Sequence, residues 1–204
     1  MTRAGSDTGL LVLHALRCGG YAGLPRLSAT TGLSESELES ELIDLAVAGQ
    51  VTRLSGLDAW GCTDAGREAD AERITAQLEA AGARAAVKAA FDRFLVLNPE
   101  LLDLCTAWQL RPVEGEQIVN DHDDPAYDAR VLDRFADLHE RTMPVCHALE
   151  TALPRFGRYR VRLASALDRA RSGDLAYVAD STASYHVVWA ELHEDLLATL
   201  GIPR

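Results

Sequence analysis

The chain has 204 residues, 48% hydrophobic and 25% charged, enough to build a sizeable core in one large or two small domains. Its net charge of −11 excludes a general binder of nucleic acid or of anionic membranes, because no overall basic field draws phosphates in, although a local basic patch stays open. Cys18, Cys62, Cys105 and Cys146 are scattered without a C-x-x-C pair and read as reduced core thiols of a cytoplasmic protein; neither an apolar leader nor a run of membrane-spanning length is expected.

Residues 8–19 carry Leu10, Leu11, Leu13, Leu16 and Cys18 at helical spacing, and Gly19-Gly20 ends that helix. A short second helix covers 24–31, closed by Gly32. Ser34 is an N-cap and Glu37, three residues on, completes a capping box for a third helix. Leu38, Leu42, Ile43 and Leu45 form its inward stripe, leaving Ser36, Glu37, Ser40, Glu41 and Asp44 outside. Residues 51–54 and 59–62 are short strands joined by the turn Ser55-Gly56-Leu57-Asp58. One long Ala-rich helix is expected over 68–98, with Asn98-Pro99-Glu100 as a stop and restart. A helix to Leu110, a polar loop over 111–123, and a helix from Asp124-Pro125 to about 153 follow. Helices over 156–172, 174–182 and 185–200 complete the chain. The expected fold is mainly α: a winged helix-turn-helix with a two-stranded wing over residues 1–70, then a helical bundle over 71–204 for dimerisation and ligand binding.

Trp60-Gly61-Cys62-Thr63-Asp64-Ala65-Gly66-Arg67-Glu68 resembles the wing end of MarR-type winged-helix regulators, where a strand of pattern aromatic-x-Leu-Thr-x-x-Gly-Arg leads into a helix. The resemblance covers about a third of the chain and implies a DNA-binding transcriptional regulator. Further on, residues 94–101, 105–110 and 184–195 resemble an actinobacterial helical regulatory region associated with standalone regulators and with extensions of pyruvate phosphate dikinase-like proteins. That likeness implies a regulatory module near phosphoenolpyruvate-utilising enzymes. The general layout of this half also resembles the ligand-binding domains of GntR-type regulators, which can hold a metal; Arg158-Tyr159-Arg160-Val161-Arg162 stands where that family has a Glu-His pair, so no metal or cofactor is expected.

The third helix carries Glu35, Glu37, Glu39, Glu41 and Asp44 and no Arg or Lys, the wrong charge for a helix entering the major groove. Ser36 and Ser40 are the candidate base contacts, and Arg26 and Arg53 the candidate phosphate contacts. Arg3, Arg17, Arg26, Arg53 and Arg67 face ten acids through Asp70. Two readings stay open: an operator-binding homodimer, and a partner module that does not bind DNA. For a small-molecule effector the candidate residues are Trp108, Arg111, His139, Tyr185, His186, Trp189 and His193, because aromatic rings and imidazoles among apolar helices are a common pocket lining. His139, on the apolar stripe with Leu132 and Phe135, reads first as a satisfied core histidine. The acid-rich loop 120–124 reads as a helix cap with solvated carboxylates, lacking the Gly and terminal Glu of a calcium loop. With no nucleophile elbow, phosphate-cradling glycine loop or H-E-x-x-H, the chain is not expected to be an enzyme.

Overall fold

The computed structural model describes residues 4–54 and 56–203, with side chains from Thr8 onward. Arg3 and Ser55, named in the basic inventory and the hairpin turn, lie outside the described residues. The chain forms two compact units, residues 1–84 with 191–204, and residues 85–190. The boundary expected near residue 70 falls inside a continuous helix, and the first unit also takes up the C-terminal residues.

The first unit runs α1 (Ala4–Gly19), α2 (Leu24–Thr31), α3 (Glu35–Val47), β1 (Val51–Leu54), β2 (Ala59–Cys62) and α4 (Asp64–Ala80). β1 and β2 are antiparallel, with Val51 opposite Cys62 and Leu54 opposite Ala59. Ala22 and Trp60 exchange backbone hydrogen bonds at 2.9 Å, so the segment between α1 and α2 adds one bridge to β2. Val12, Leu13, Leu16, Leu27, Leu38, Leu42, Leu45 and Val51 make the core. The capping box at Ser34 and Glu37 is complete, which fixes where α3 starts. Ile43, expected inward, is 58% exposed: the stripe that reaches the core is Leu38, Leu42 and Leu45, and Ile43 falls outside its arc.

The second unit is built from α5 (Arg84–Gln109), the hairpin β3 (Leu110–Val113) and β4 (Glu116–Val119), α6 (Pro125–Ala152), a 3-10 turn (Pro154–Phe156), α7 (Gly157–Arg171), α8 (Ala176–Ala179) and the start of α9 (Tyr185–Leu200). The single helix expected over 68–98 is two helices, broken at Gly82, whose φ of +60° lies in the left-handed region. The stop expected at Asn98-Pro99 is instead interior to α5. Pro99 forfeits one backbone bond, but Phe94, Leu97, Leu101 and Leu104 are buried on either side and hold the helix together. The polar loop expected over 111–123 contains the β3–β4 hairpin, turned by Glu114 and Gly115 at φ +51° and +91°. Its strand residues are mostly exposed on both faces, so no period-two burial pattern marks them in the sequence. Only Ala176–Ala179 is helical within the segment 174–182. Among the described residues no helix is long and apolar enough to cross a membrane.

Candidate functional site

Two places in the first unit carry chemistry. One is the exposed face of α3. Ser36 and Ser40 are exposed there beside Glu35, Glu37, Glu39 and Asp44. Glu37 accepts from the Ser34 backbone N–H at 2.9 Å and from its hydroxyl at 2.6 Å, and these bonds hold its carboxyl below the usual range. Glu41, expected on the outer face, is half-buried: it lies over α1 at Gly9, where an added Cβ would stand 2.9 Å from Oε2. Burial, with Asp44 nearby, raises its carboxyl pKa. The same face exposes Ile43 and, one turn on, Val47 at 85%. Both candidate phosphate contacts are engaged: Arg26 Nη2 donates to Glu191 Oε1 at 2.8 Å, and Arg53 pairs with Asp58 at the end of the hairpin.

The other place lies inside the unit and was not singled out from the sequence. His14 on α1 is 1% exposed. Its Nδ1 lies 3.0 Å from Asp70 Oδ1 on α4, and its Nε2 lies 3.0 Å from Asp195 Oδ1 on α9. Cys18, one turn along α1, puts Sγ 3.5 Å from the same Nε2. Asp195 also accepts from Thr199 Oγ1 at 3.0 Å. Asp70, Asp195 and Thr199 are all buried. Asp70 shares a helical stripe with Gly66, Ile74 and Leu78, and Glu191, Asp195 and Thr199 share one on α9. Burial alone drives the His14 pKa down, but Cys18, Asp195 and Asp70 outweigh it and leave it well above the usual value. Carboxylates facing both ring nitrogens favour the form in which both donate. The visible signal was His14 and Cys18 at i and i+4 on an otherwise apolar stripe; the acids that complete the cluster are distant in sequence.

The expected ligand residues of the second unit fall into two groups. Tyr185, Trp189 and His139 belong to one packed aromatic cluster. Trp189 stacks on Phe94 with centroids 4.6 Å apart and donates Nε1–H to Asn98 Oδ1 at 2.9 Å. The Tyr185 hydroxyl lies 3.3 Å from His139 Nδ1, and Phe135 meets the Tyr185 ring edge-on. Burial lowers the His139 pKa, with Asp168 and Glu140 pulling partly back. His186 is half-buried on the same helix, and His193 falls in the range of the first unit. Trp108 and Arg111 belong to a separate cluster at the hairpin. The Trp108 ring lies 4.5 Å from that of His122, and His122 Nδ1 is 2.9 Å from Asp128 Oδ2. Asn120 Nδ2 donates to Asp128 Oδ1 at 2.8 Å and to the Trp108 carbonyl at 3.0 Å, while Arg111 pairs with Asp121 at 3.0 Å. Asp124 caps α6 through the N–H groups of Ala126 and Tyr127. Of the acids in loop 120–124, Asp121 thus pairs with Arg111 on β3 and Asp124 caps α6. A groove along α6 and α7 is lined by Met143, Arg160, Val161, Ser165, Asp168 and Arg169, none of them an expected ligand residue.

No family model matches the chain, and neither the curated proteins nor the solved structures contain a match.

Proposed function

We propose that the first unit is a winged helix-turn-helix used as a protein-interaction module, in which the α3 face docks on a basic, partly apolar protein surface. The observation that carries this reading is the composition of that face. Ile43 and Val47 stand exposed one turn apart, flanked by Glu35, Glu39 and Asp44, with no Arg or Lys on the helix. Duplex DNA offers phosphates to such a face and is repelled. A protein surface with Arg or Lys around an apolar pocket complements it in charge and area. Arg26 and Arg53, on which an operator-binding role depends, would have to leave Glu191 and Asp58 to reach phosphates. The second unit serves self-association in this reading, in line with the homodimer expected from sequence.

Two measurements test it. Fluorescence anisotropy with a random-sequence duplex should show no binding by the wild type even at low salt; tight binding would return the protein to the operator-binding reading. A photo-crosslinker at position 47 should capture one discrete protein in cells. Ile43→Ser should abolish that product, and a crosslinker at the exposed Thr75 should not give it. Equal products from positions 47 and 75 would sink the docking face.

A further inference from the structure

We propose that His14, Cys18 and Asp195 bind a divalent transition metal, Zn2+ by donor chemistry, with Asp70 orienting the histidine from behind. The inference does not depend on the interaction reading above. Three different donor types converge: an imidazole Nε2, a thiol Sγ and a carboxylate oxygen, all within 4.8 Å of one another. A tetrahedral zinc with bonds of about 2.0–2.3 Å places its ligand atoms about 3.3–3.8 Å apart. Here Nε2 stands 3.0 Å from Asp195 Oδ1 and 3.5 Å from Cys18 Sγ, so the first pair needs to open by a few tenths of an ångström and the second already lies in that range.

The arrangement has the parts of a metal site beyond its ligands. Asp70 receives the Nδ1–H of His14 at 3.0 Å, which points Nε2 at the cluster; a carboxylate behind a ligating histidine fixes the tautomer and raises its basicity. The Thr199 hydroxyl donates to Asp195 Oδ1 at 3.0 Å and so holds that ligand oxygen in place. The ligating forms are the neutral imidazole and the thiolate, so any proton on Nε2 or Sγ is released to solvent as the metal binds. Cys18 is half-buried, beside half-buried Gly19 and exposed Gly20 at the end of α1, and is the most accessible of the three ligands. Three protein ligands leave a fourth position for water. Because α1 supplies two ligands and α9 the third, the metal would tie residues 191–204 to the N-terminal helices of the same unit.

The test uses the full chain, stripped with a chelator and then given Zn2+ or Co2+ alone. One Zn2+ per chain should bind, and Co2+ should give a thiolate-to-metal charge-transfer band together with tetrahedral visible bands. Cys18→Ser should lose the charge-transfer band, whereas Cys62→Ser, in the same unit, should keep it. Asp70→Asn should weaken Zn2+ binding about 10–100-fold, as loss of an outer carboxylate does. If Cys18→Ser does not fold by circular dichroism, X-ray absorption on the wild-type zinc form decides instead: one sulfur at about 2.3 Å supports the site. A folded wild type that takes up no stoichiometric Zn2+, an absorption spectrum without sulfur, or a cobalt band that survives in Cys18→Ser and vanishes in Cys62→Ser would overturn it.

Discussion

Gly66 gives a physical reason for the Thr-x-x-Gly pattern at the start of α4. Thr63 caps the helix by accepting from the Gly66 N–H at 3.0 Å and donates its hydroxyl proton to the Gly49 carbonyl at 2.7 Å. That clamp draws the first turn of α4 onto the chain before β1. A Cβ at Gly66 would stand only 1.9 Å from the Gln50 carbonyl oxygen, a backbone atom that cannot swing aside. Gly66→Ala is therefore expected to destabilise the first unit by about 1–3 kcal/mol, the usual cost of forcing an extra carbon into a packed site, despite the better helix propensity of alanine. Urea titration checks it, and an unchanged or raised midpoint would contradict the clamp. His139 makes a second expectation at this scale. Its folded pKa is depressed by burial, so the neutral ring is the stable form. Its contribution is complete above the unfolded value of about 6.5 and is lost as pH falls through the folded value. Between neutral and mildly acidic pH, wild type should lose more stability than His139→Gln, measured as the difference in urea midpoints. His14 has a raised pKa and the opposite sign, its contribution fading as pH rises, so only the difference between the two proteins isolates His139.

At the scale of elements, α9 shows what burial periodicity does and does not determine. Val188, Leu192 and Leu196 are fully buried, as the i, i+4, i+8 spacing predicts. Yet the helix contributes its first residues to one compact unit and residues 191–200 to the other, and no spacing rule carries that information. Leu192→Asp is expected to cost about 3–5 kcal/mol, the scale of an uncompensated buried charge, and to unfold the N-terminal unit first. Hydrogen exchange resolved by residue distinguishes the order: loss of protection confined to residues 85–190 would place the helix wrongly. The same contrast runs through the molecule. The end of α1, the bounds of α2, the β1–β2 strands and the capping box of α3 were legible because each rests on local chemistry: a Gly stop, a Ser cap, a short β-rich run; the start of α1, expected at residue 8, lies at Ala4. Continuity through Pro99 was not, because the buried residues on either side of it decide it; nor were the largely exposed β3–β4 hairpin, which has no period-two burial pattern, and the outward Ile43, which falls outside the buried arc of α3. Arg26 and Arg53 were legible as cations and not as partners of Glu191 and Asp58, and the His14 cluster needs Asp70 and Asp195, respectively 56 and 181 positions away by residue number.

For the whole molecule the sign of the salt dependence separates the roles in play. Each chain carries −11, so two copies repel at long range, and salt weakens that repulsion over a Debye length of about 10 Å at 0.1 M. Self-association therefore needs apolar surface to overcome it. The second unit offers that surface: on α5 Leu95, Val96 and Leu102 are 40%, 78% and 51% exposed, about two turns of one helix. A homodimer formed through this stripe should tighten as salt is raised, since burial of apolar area is little affected and the repulsion is screened. Binding to duplex DNA would do the reverse, weakening as condensed counterions compete with any arginine contacts. Sedimentation velocity at low and moderate ionic strength reads the first trend and anisotropy with a duplex reads the second. Val96→Arg combined with Leu102→Arg should give a monomer at every salt concentration with an unchanged helical signal, because both side chains already face solvent. A dimer that dissociates as salt is raised would mean that ion pairs hold it, and one that survives both arginines would place the interface away from α5.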